Sequence, residues 1–535
     1  MKLVVLIFLT LLPVSLLGKR PNIVFIFSDD HATKAIGAYE GLFASLNPTP
    51  NIDKLAAQGA LFKNSYCTNS ICGPSRAVIL TGKHSHKNGF MANGDHFNGD
   101  QQTLPKLLQQ AGYQTAIFGK WHLHSTPQGF NTWKILPGQG EYYNPRLITA
   151  EGEETHMGYC TDIVTDLAVD WMKEQSKQEK PFFLMCQHKA PHRNWMPALR
   201  HLPLYEDITI PEPSTLFDKG ESKTPNAQWQ EMEIGQHMDL NFDLFYKLTP
   251  EYKRKKSKHG PDRSGHKNMK RMTATQLSRF RAHYDSADAE LEKLQLSGED
   301  LIRWKYQRYL KNYLRCVKGV DESVGTILET IQQLGLEEDT IVIYSSDQGF
   351  YLGDHGWYDK RWMYEESLEM PLIVKWPGVT KPGSKITELV QNLDYAPTLL
   401  EAAEAEIPAD LQGKSLTSLF RGKTANWRDS IYYHYYAYPA AHQVPRHNGV
   451  RTKTHKLIHF YNYDEWELYD LENDPEELQN LYQDPAQKEK IAELKKQLKQ
   501  LEQNYDDDSK TEKYSPEKVK SLRNTKRRYT VPNKF

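Results

Sequence analysis

Residues 72–76 read Cys-Gly-Pro-Ser-Arg, and this segment combines a nucleophilic sulfur with a fixed positive charge. An apolar stretch follows as far as Gly82, which predicts a helix with Pro74 at its first position and Gly82 at its end. Cys72 would then lie just before the helix N-terminus, where unpaired N–H groups and the helix dipole stabilise negative charge. Arg76 adds a full charge one turn later, which favours thiolate or oxyanion forms of the Cys72 side chain. The alternative is a buried free cysteine without chemistry.

Four apolar stretches elsewhere in the chain each end in polar side chains. The stretches are residues 21–28, 112–118, 181–186 and 340–346. Their β-branched and aromatic content predicts strands buried on both faces, as in a parallel sheet. The polar residues that follow them are Asp29 and Asp30, Lys120 and His122, His188 and His192, and Asp347 and Gln348.

Helices are predicted between these strands. The helical segments are residues 49–59, 104–112, 161–175, 301–334 and 393–403, and residues 371–376 predict a fifth strand. Strands that alternate with helices indicate an α/β fold with a mostly parallel sheet flanked by helices. The carboxyl ends of parallel strands meet at one edge, where ligands bind. The four polar clusters are therefore expected at one site.

Four of the clustered residues offer oxygen ligands to a metal ion. They are Asp29, Asp30, Asp347 and Gln348. Carboxylate and amide oxygens suit a hard cation such as calcium. Adjacent carboxylates at a strand end are costly unless solvated or bound to a cation, although a polar turn would also explain Asp29 and Asp30 alone.

Positive and titratable groups complete the set. Lys120, Lys360 and Arg76 supply positive charge, and His122 and His192 can move protons near neutral pH. A metal ion with several cationic side chains suits a tetrahedral dianion or monoester better than a carbonyl substrate. Taken singly, each lysine could be a surface charge and each histidine a satisfied strand-end residue.

These motifs, in their order along the chain, resemble those of the type I sulfatases. The resemblance covers most of residues 20–480 and includes residues 29–30, 119–122, 188–192, 347–349, 353–360 and 364–367. It implies an alkaline-phosphatase-like fold with a smaller C-terminal domain built on an antiparallel sheet. Gln348 departs from the pattern, since many members carry Asn or His there, but its carbonyl oxygen still suits a cation.

The resemblance also implies a modified cysteine and a bound cation. In that family the cysteine at the position of Cys72 is oxidised to formylglycine (3-oxoalanine) by a formylglycine-generating maturation enzyme. The divalent cation, Ca²⁺ in preference to Mg²⁺, would be held by a set of five residues. They are Asp29, Asp30, Asp347, Gln348 and the modified Cys72.

The family mechanism assigns roles by position. A hydroxyl of the hydrated aldehyde would attack sulfur, and Lys120 and Lys360 would hold sulfate oxygens. His192 would protonate the leaving sugar oxygen, and His122 would take a proton from the second hydroxyl to expel sulfate. Arg76 would hold the hydrated aldehyde. His188 matches the position of the family's general acid less well than His192 does.

A longer pattern points to a sulfated amino sugar. Residues 86–91, 101–103, 137–140 and 447–452 resemble those of bacterial mucin-desulfating glycosulfatases, or N-acetylglucosamine-6-sulfatases. The resemblance implies the 6-O-sulfate of N-acetylglucosamine as substrate, in a glycosaminoglycan such as heparan sulfate or in mucin. Asp359 and Arg361 flank Lys360 and suit sugar hydroxyls. His355 and His447 are further candidates for substrate binding.

Other functions remain open from the sequence. The sulfate could be at another sugar position, as in 6-sulfated N-acetylgalactosamine or 2-sulfated uronic acid. The same fold serves phosphomonoesterases, which use Ser or Thr where this chain has Cys72. A non-catalytic glycan-binding protein, in which Cys72 stays a thiol, is the third alternative.

Length and composition set the remaining expectations. The 535 residues carry 67 Lys and Arg against 68 Asp and Glu, which gives no general affinity for nucleic acid. Residues 1–18 predict a signal peptide and no stable membrane span, hence export to the periplasm or beyond the cell. Residues 19–420 are the predicted catalytic domain, with a charged insertion at about 214–297. Residues 421–535 are the predicted C-terminal domain, with an antiparallel sheet, a helix at 487–503 and a basic tail.

Overall fold

The computed structural model describes residues 20–247 and 264–524 of the chain. The predicted signal peptide, residues 1–18, therefore lies outside the described residues. The strands are β1 Asn22–Ser28, β2 Ala60–Phe62, β3 Ser65–Tyr66, β4 Gln114–Lys120, β5 Thr132–Leu136, β6 Arg146–Thr149, β7 Gly152–Thr155, β8 Phe182–Gln187, β9 Thr340–Ser346, β10 Tyr351–Leu352, β11 Tyr358–Asp359, β12 Leu372–Lys375, β13 Ser384–Ile386, β14 Val390–Gln391, β15 Ser430–Tyr435, β16 His447–Thr452, β17 His455–Phe460 and β18 Glu465–Asp470.

The α-helices differ widely in length. They are α1 Pro50–Gln58, α2 Cys72–Thr81, α3 Ser85–Asn88, α4 Leu104–Gln110, α5 Cys160–Gln175, α6 Pro225–Gln228, α7 Ser264–Arg271, α8 Ala274–Leu294, α9 Gly298–Gln333, α10 Glu365–Leu368, α11 Tyr395–Ala402, α12 Thr417–Phe420, α13 Lys488–Asn504 and α14 Pro516–Asn524. The predicted insertion contains α6, α7 and α8. Within the described residues, no helix has the length and apolar character needed to cross a membrane.

The main sheet is the α/β sheet expected from the sequence. Its ten strands run in the order β13-β2-β12-β9-β1-β8-β4-β5-β6-β7. Strands β9, β1, β8, β4 and β5 are parallel, with Ile23 opposite both Phe183 and Ile341. The prediction that four polar clusters share one edge is therefore confirmed. Strand β12 pairs antiparallel with β9 and so departs from the parallel pattern.

The sheet separates two apolar cores. Alternate side chains of a strand point to opposite faces, so Val24 and Ile26 join the core beneath α5 and α9. Phe25 and Phe27 join the core beneath α2, α4 and α11. Because both faces are covered, every residue of β1 is buried. This explains why β1 is apolar along its length instead of alternating.

The C-terminal sheet is antiparallel, as predicted. Its order is β15-β16-β17-β18, and α13 packs against it through Leu494 and Leu498. The opposite face, including Ile431 and Tyr433, belongs to the same core as Phe25 of the main sheet. The five cysteines are buried, and none forms a disulfide bond.

Candidate active site

One cavity of about 750 Å³ lies at the carboxyl edge of the main sheet. Of the predicted site residues, its lining includes Cys72, His192, Asp359, Lys360 and Arg361. The sequence separates these residues by almost 290 positions, and the crossover connections of the sheet bring them together. Sequence motifs and strand ends thus converge on one polar cavity.

Helix α2 begins at Cys72 itself and places it in the cavity wall. The prediction that Pro74 takes the first helical position was wrong: Ile71 is the extended N-cap, so Pro74 is the third residue. Pro74 is tolerated there because N–H groups in the first turn have no helical partner. Gly82 ends the helix with φ 63°, as expected. Burial raises the pKa of the Cys72 thiol, which outweighs the stabilisation of a thiolate expected from the helix N-terminus.

The four predicted metal ligands lie together behind Cys72. Ligand oxygens of Asp29, Asp30 and Asp347 lie within 4.8 Å of one another, and all three side chains are buried. The Gln348 amide donates to Asp30 Oδ1. Two buried oxygens of this group, Asp29 Oδ1 and Gln348 Oε1, have no hydrogen-bond partner in the described part of the chain. Three carboxylates with hard oxygens at this spacing fit a divalent cation.

Burial and the crowding of negative charge shift the pKa values of the three carboxyls. Burial, with the neighbouring charge of Asp29, raises the pKa of Asp347 to about 8. Burial also raises the pKa of Asp30 to about 6, against the effect of Lys360. Burial acts in the same direction on Asp29, but the charge of Lys120 holds the pKa of Asp29 well below its usual range. The cluster therefore needs positive charge in order to remain ionised.

Two buried lysines supply part of that charge. Lys120 forms an ion pair with Asp29 and donates to Gln139 Oε1 at 2.6 Å. Lys360 Nζ lies 2.5 and 2.6 Å from the two carboxylate oxygens of Asp30. Strand β4 reaches Lys120 because Gly119 adopts φ 102°, where a Cβ atom would lie 1.9 Å from the Gln187 carbonyl oxygen. A glycine is required at that close approach.

Arg76 is a structural centre of the site. Its Nε and Nη2 atoms donate to Asp347 Oδ2, each at 3.1 Å. Its Nη1 donates to the Lys120 carbonyl at 2.7 Å and to Gln187 Oε1 at 2.8 Å. Arg76 therefore fixes the ends of three strands relative to α2. Its charge also offsets that of the carboxylate cluster.

The two predicted proton carriers occupy different places. His192 lines the cavity, with Nε2 3.8 Å from Asp30 Oδ2. Its Nδ1 contacts the Arg193 carbonyl oxygen, which only accepts hydrogen bonds, so Nδ1 carries the proton and Nε2 faces the site. His122 is buried beside Lys120, and burial followed by that charge lowers its pKa. A neutral imidazole of this kind is able to accept a proton.

His188 turns away from the site. Its Nε2 lies 2.9 Å from Ser323 Oγ on α9 and 3.6 Å from Cys186 Sγ. His188 is completely buried, and burial lowers its pKa to about 3. It is a core histidine beneath the sheet. This position agrees with the sequence analysis, in which His188 matches the general acid of the family less well than His192 does.

Two predicted substrate-binding residues are placed elsewhere by the structure. His355 contacts Asp218 Oδ2 at 2.8 Å and packs against aromatic rings, and only 2% of it is exposed. His447 is completely buried among the rings of Trp362, Tyr435 and Phe460. Neither lines the cavity. The structure therefore does not bring either ring to the cavity, because strand alternation and local turns direct both into the core.

Sequence reasoning missed part of the cavity wall. His442 Nε2 lies 3.2 Å from Asp359 Oδ2 and 3.5 Å from Arg193 Nη1. Arg193 in turn forms an ion pair with Asp243 at 2.6 Å. Asp359 and Arg361 have φ 80° and 98°, so these contacts hold strained backbone in place. No spacing signal links His442 to His192; only the adjacency of Arg193 to His192 offered a clue.

Comparison with known proteins decides the family. The sulfatase family model matches residues 21–405, more than half of the chain. This chain belongs to the sulfatase family. The model of the C-terminal region of N-sulphoglucosamine sulphohydrolase matches residues 353–504 of the sulfatase. The predicted family, fold and enzyme class, a sulfuric ester hydrolase, are thereby confirmed.

Named relatives match most of the sulfatase. An N-acetylglucosamine-6-O-sulfatase of Bacteroides thetaiotaomicron is 47% identical over 502 residues, covering 92% of this chain and 88% of the relative. The human N-acetylglucosamine-6-sulfatase is 24% identical over 446 residues, which cover 78% of this chain and 67% of the human protein. A solved relative in complex with its substrate D-glucosamine-2-N,6-O-disulfate superposes with a TM-score of 0.85 at 44% identity, covering 92% and 99%.

Proposed function

We propose that this sulfatase hydrolyses the 6-O-sulfate of glucosamine units, above all N-acetylglucosamine, in sulfated glycans. One observation carries the proposal: Cys72 lines the cavity together with His192 and Lys360, backed by the carboxylate cluster. The relative at 47% identity, which is named for this activity, matches 92% of this chain. Asp359 and Arg361 line the same cavity and offer an acceptor and a fork of donors to sugar hydroxyls.

Two groups supply the central chemistry in this proposal. Formylglycine made from Cys72 supplies, as its hydrate, the hydroxyl that attacks sulfur and a second hydroxyl that later expels sulfate. A divalent cation, Ca²⁺ by the hard-ligand argument, would supply positive charge that favours attack and stabilises the sulfate group. Asp29, Asp30, Asp347 and Gln348 would hold it.

The other side chains bind the sulfate group and stabilise charge. Lys360 projects between Asp30 and the cavity and would neutralise sulfate oxygens as charge builds in the transition state. Lys120 does the same from beside Asp29. Arg76 keeps Asp347 and the Lys120 backbone in place, and so orients the charged groups before substrate arrives.

Proton transfer is divided between two histidines. His192 Nε2 faces the cavity and, once the ring has taken up a second proton there, would give that proton to the sugar oxygen as the S–O bond breaks. Its low pKa, caused first by burial, makes it a strong acid once protonated. His122 is the base that takes the proton of the second hydroxyl. Water then restores the hydrate, so the sum of the cycle is sulfate ester plus water giving alcohol plus sulfate.

Export and maturation belong to the same proposal. Residues 1–18 would direct the chain out of the cytoplasm as a signal peptide, and a formylglycine-generating enzyme would act on Cys72. Mass spectrometry of the peptide containing Cys72 tests maturation, since the aldehyde is lighter than the thiol. Metal analysis of the purified protein tests for one equivalent of calcium. Chelation should abolish sulfate release, and calcium should restore it better than magnesium.

Sulfate release from a panel of sugars tests the substrate. The panel is 6-sulfated N-acetylglucosamine, glucosamine-2-N,6-O-disulfate, 6-sulfated N-acetylgalactosamine, 2-sulfated uronic acid and 4-sulfated galactose. Release from the two glucosamine 6-sulfates supports the proposal. The galactosamine compound differs from the first sugar only in the configuration at C4. Its rejection would therefore show that the enzyme selects its substrate through contacts with the C4 hydroxyl. Turnover of only the last three sugars, or of none, would refute the substrate.

A further inference from the structure

Strand β15 presents different side chains to the cavity and to the C-terminal tail. Successive side chains of a strand point to opposite faces. On one face, Tyr433 donates to the Arg361 carbonyl at 2.8 Å and accepts from the Ser70 amide at 3.2 Å. Tyr435, on the same face, lies beside the Arg361 guanidinium. This face of β15 therefore supports Arg361 and the turn that leads into Cys72.

The opposite face of β15 is fixed by one carboxylate. Asp507 Oδ2 accepts from Tyr432 OH at 2.7 Å, from His434 Nδ1 at 2.7 Å and from Tyr436 OH at 3.3 Å. A carboxylate only accepts hydrogen bonds, so His434 Nδ1 carries a proton and its Nε2 accepts from Tyr461 at 3.0 Å. Only 9% of Asp507 is exposed. Such charge-assisted bonds are stronger than neutral ones.

The segment around Asp507 is itself held in place. Its backbone N–H donates to the Glu502 carbonyl at 2.9 Å, at the end of α13. Further along, Thr511 Oγ1 accepts from Asn462 at 2.8 Å and from Arg446 Nη1 at 3.3 Å. Arg446 Nε donates to the Tyr436 carbonyl at 2.8 Å. Arg446 and Tyr436 line the cavity, so the tail reaches its wall at a second point.

From these contacts we propose that residues 505–512 form a positioning element for the sugar side of the cavity, with Asp507 as its anchor. Asp507 holds the even-numbered face of β15, and through the strand it fixes the positions of Tyr433, Tyr435 and Arg361. The proposal rests on the proposed function, because it concerns contacts with the sugar. Asp507 touches neither the sulfate pocket nor the metal ligands, and acts only through other residues.

Kinetics of Asp507→Asn test this role. The variant keeps the size of the side chain but loses its charge, and its amide offers donors to groups that already donate. The KM for the sugar sulfate that the wild type turns over best should rise about 10-fold, equivalent to about 1.4 kcal/mol, with kcat changed less than about twofold. The inhibition constant of free sulfate, which needs only the sulfate pocket, should stay within about twofold of the wild-type value.

Two further variants make the outcome decisive. Asp506→Asn is the control within the same segment: the Asp506 carboxylate contacts Lys87 at the surface, so its loss leaves the Asp507 anchor in place and should give wild-type kinetics. Tyr432→Phe removes one donor to Asp507 with little change in volume, and should raise the KM about threefold. This variant decides the test alone when Asp507→Asn does not fold. A wild-type KM in Asp507→Asn and in Tyr432→Phe overturns the proposal. So does a parallel rise of KM and the sulfate inhibition constant, which would indicate general loss of structure. Failure of the wild type on glucosamine 6-sulfates refutes the proposed function instead.

Discussion

The ammonium group of Lys360 is bidentate to Asp30, with Nζ 2.5 and 2.6 Å from the two carboxylate oxygens. Only 2% of the Lys360 side chain and none of the Asp30 side chain is exposed. Lys360 also lines the cavity, whereas Asp30 belongs to the oxygen cluster behind it. The pair therefore joins the expected cation site to the expected sulfate site.

Replacement of Lys360 should damage both activity and stability. Lys360→Met leaves Asp30 buried without its partner, which costs about 3 kcal/mol in the free energy of unfolding. It also removes a charge from the transition state, so kcat/KM should fall at least about 1,000-fold. Lys360→Arg, the matched control, should regain much of the stability but little activity, because a planar guanidinium does not replace a compact ammonium. A Lys360→Met variant within tenfold of wild-type kcat/KM would contradict the assigned role.

The nucleophile is tested by two cysteine variants. Cys72→Ala should abolish sulfate release, with kcat down at least about 1,000-fold, because no other group at that place replaces a covalent nucleophile. Cys67→Ala is the control: Cys67 is equally buried, lies five residues earlier, and its Sγ contacts the Ser367 backbone carbonyl at 3.9 Å. The control should keep kcat within about twofold. Sulfate release by Cys72→Ala would exclude the proposed mechanism.

The general acid is tested by the leaving group. His192→Gln should lower kcat about 100-fold or more for a sugar sulfate, whose leaving alkoxide needs a proton. For a nitrophenyl sulfate, which leaves as a stable phenolate, the loss should be below about tenfold. His188→Gln is the control from the same loop, since His188 faces Ser323, and it should leave both rates unchanged. Equal losses on both substrates in His192→Gln would assign His192 to binding instead of proton donation.

The polar residues that directly follow the parallel strands are the part of the site that can be predicted from the sequence. Each buried parallel strand has to be apolar, so the abrupt change to Asp29 or Asp347 marks a carboxyl edge without knowledge of the fold. Such reasoning places residues at the edge but does not orient them. His447 illustrates the limit: it lies in a matching motif, but its position in β16 turns the ring into the aromatic core.

Contacts between distant loops were not predictable. His442 reaches Asp359 from the turn between β15 and β16, where its φ is 66°. Arg193 and Asp243 form an ion pair across two irregular segments. No periodicity encodes either pair, because both depend on tertiary contacts. Asp507 follows the predicted helix at 487–503, and for the same reason no sequence pattern predicts its contacts with β15.

The reassigned His447 predicts a pH dependence of stability. Burial lowers the pKa of His447 to about 3, whereas an unfolded histidine titrates near 6.5. Below pH 6.5 the unfolded state therefore binds more protons than the folded state, and the free energy of unfolding decreases as the pH is lowered. Between pH 7.5 and 5.5 this site should remove about 1.4 kcal/mol from the free energy of unfolding.

Urea unfolding of the wild type and of His447→Gln at both pH values measures this contribution. The variant should be less stable at pH 7.5, because it loses ring packing against Trp362 and Phe460. Its further loss on going to pH 5.5 should be smaller than that of the wild type by about 1.4 kcal/mol, since glutamine does not titrate. His31, His84 and His188 have similarly lowered pKa values and stay in both proteins, so their effects cancel in the difference. Equal losses in the two proteins would mean that His447 is solvated and able to charge, as a residue facing the cavity would be.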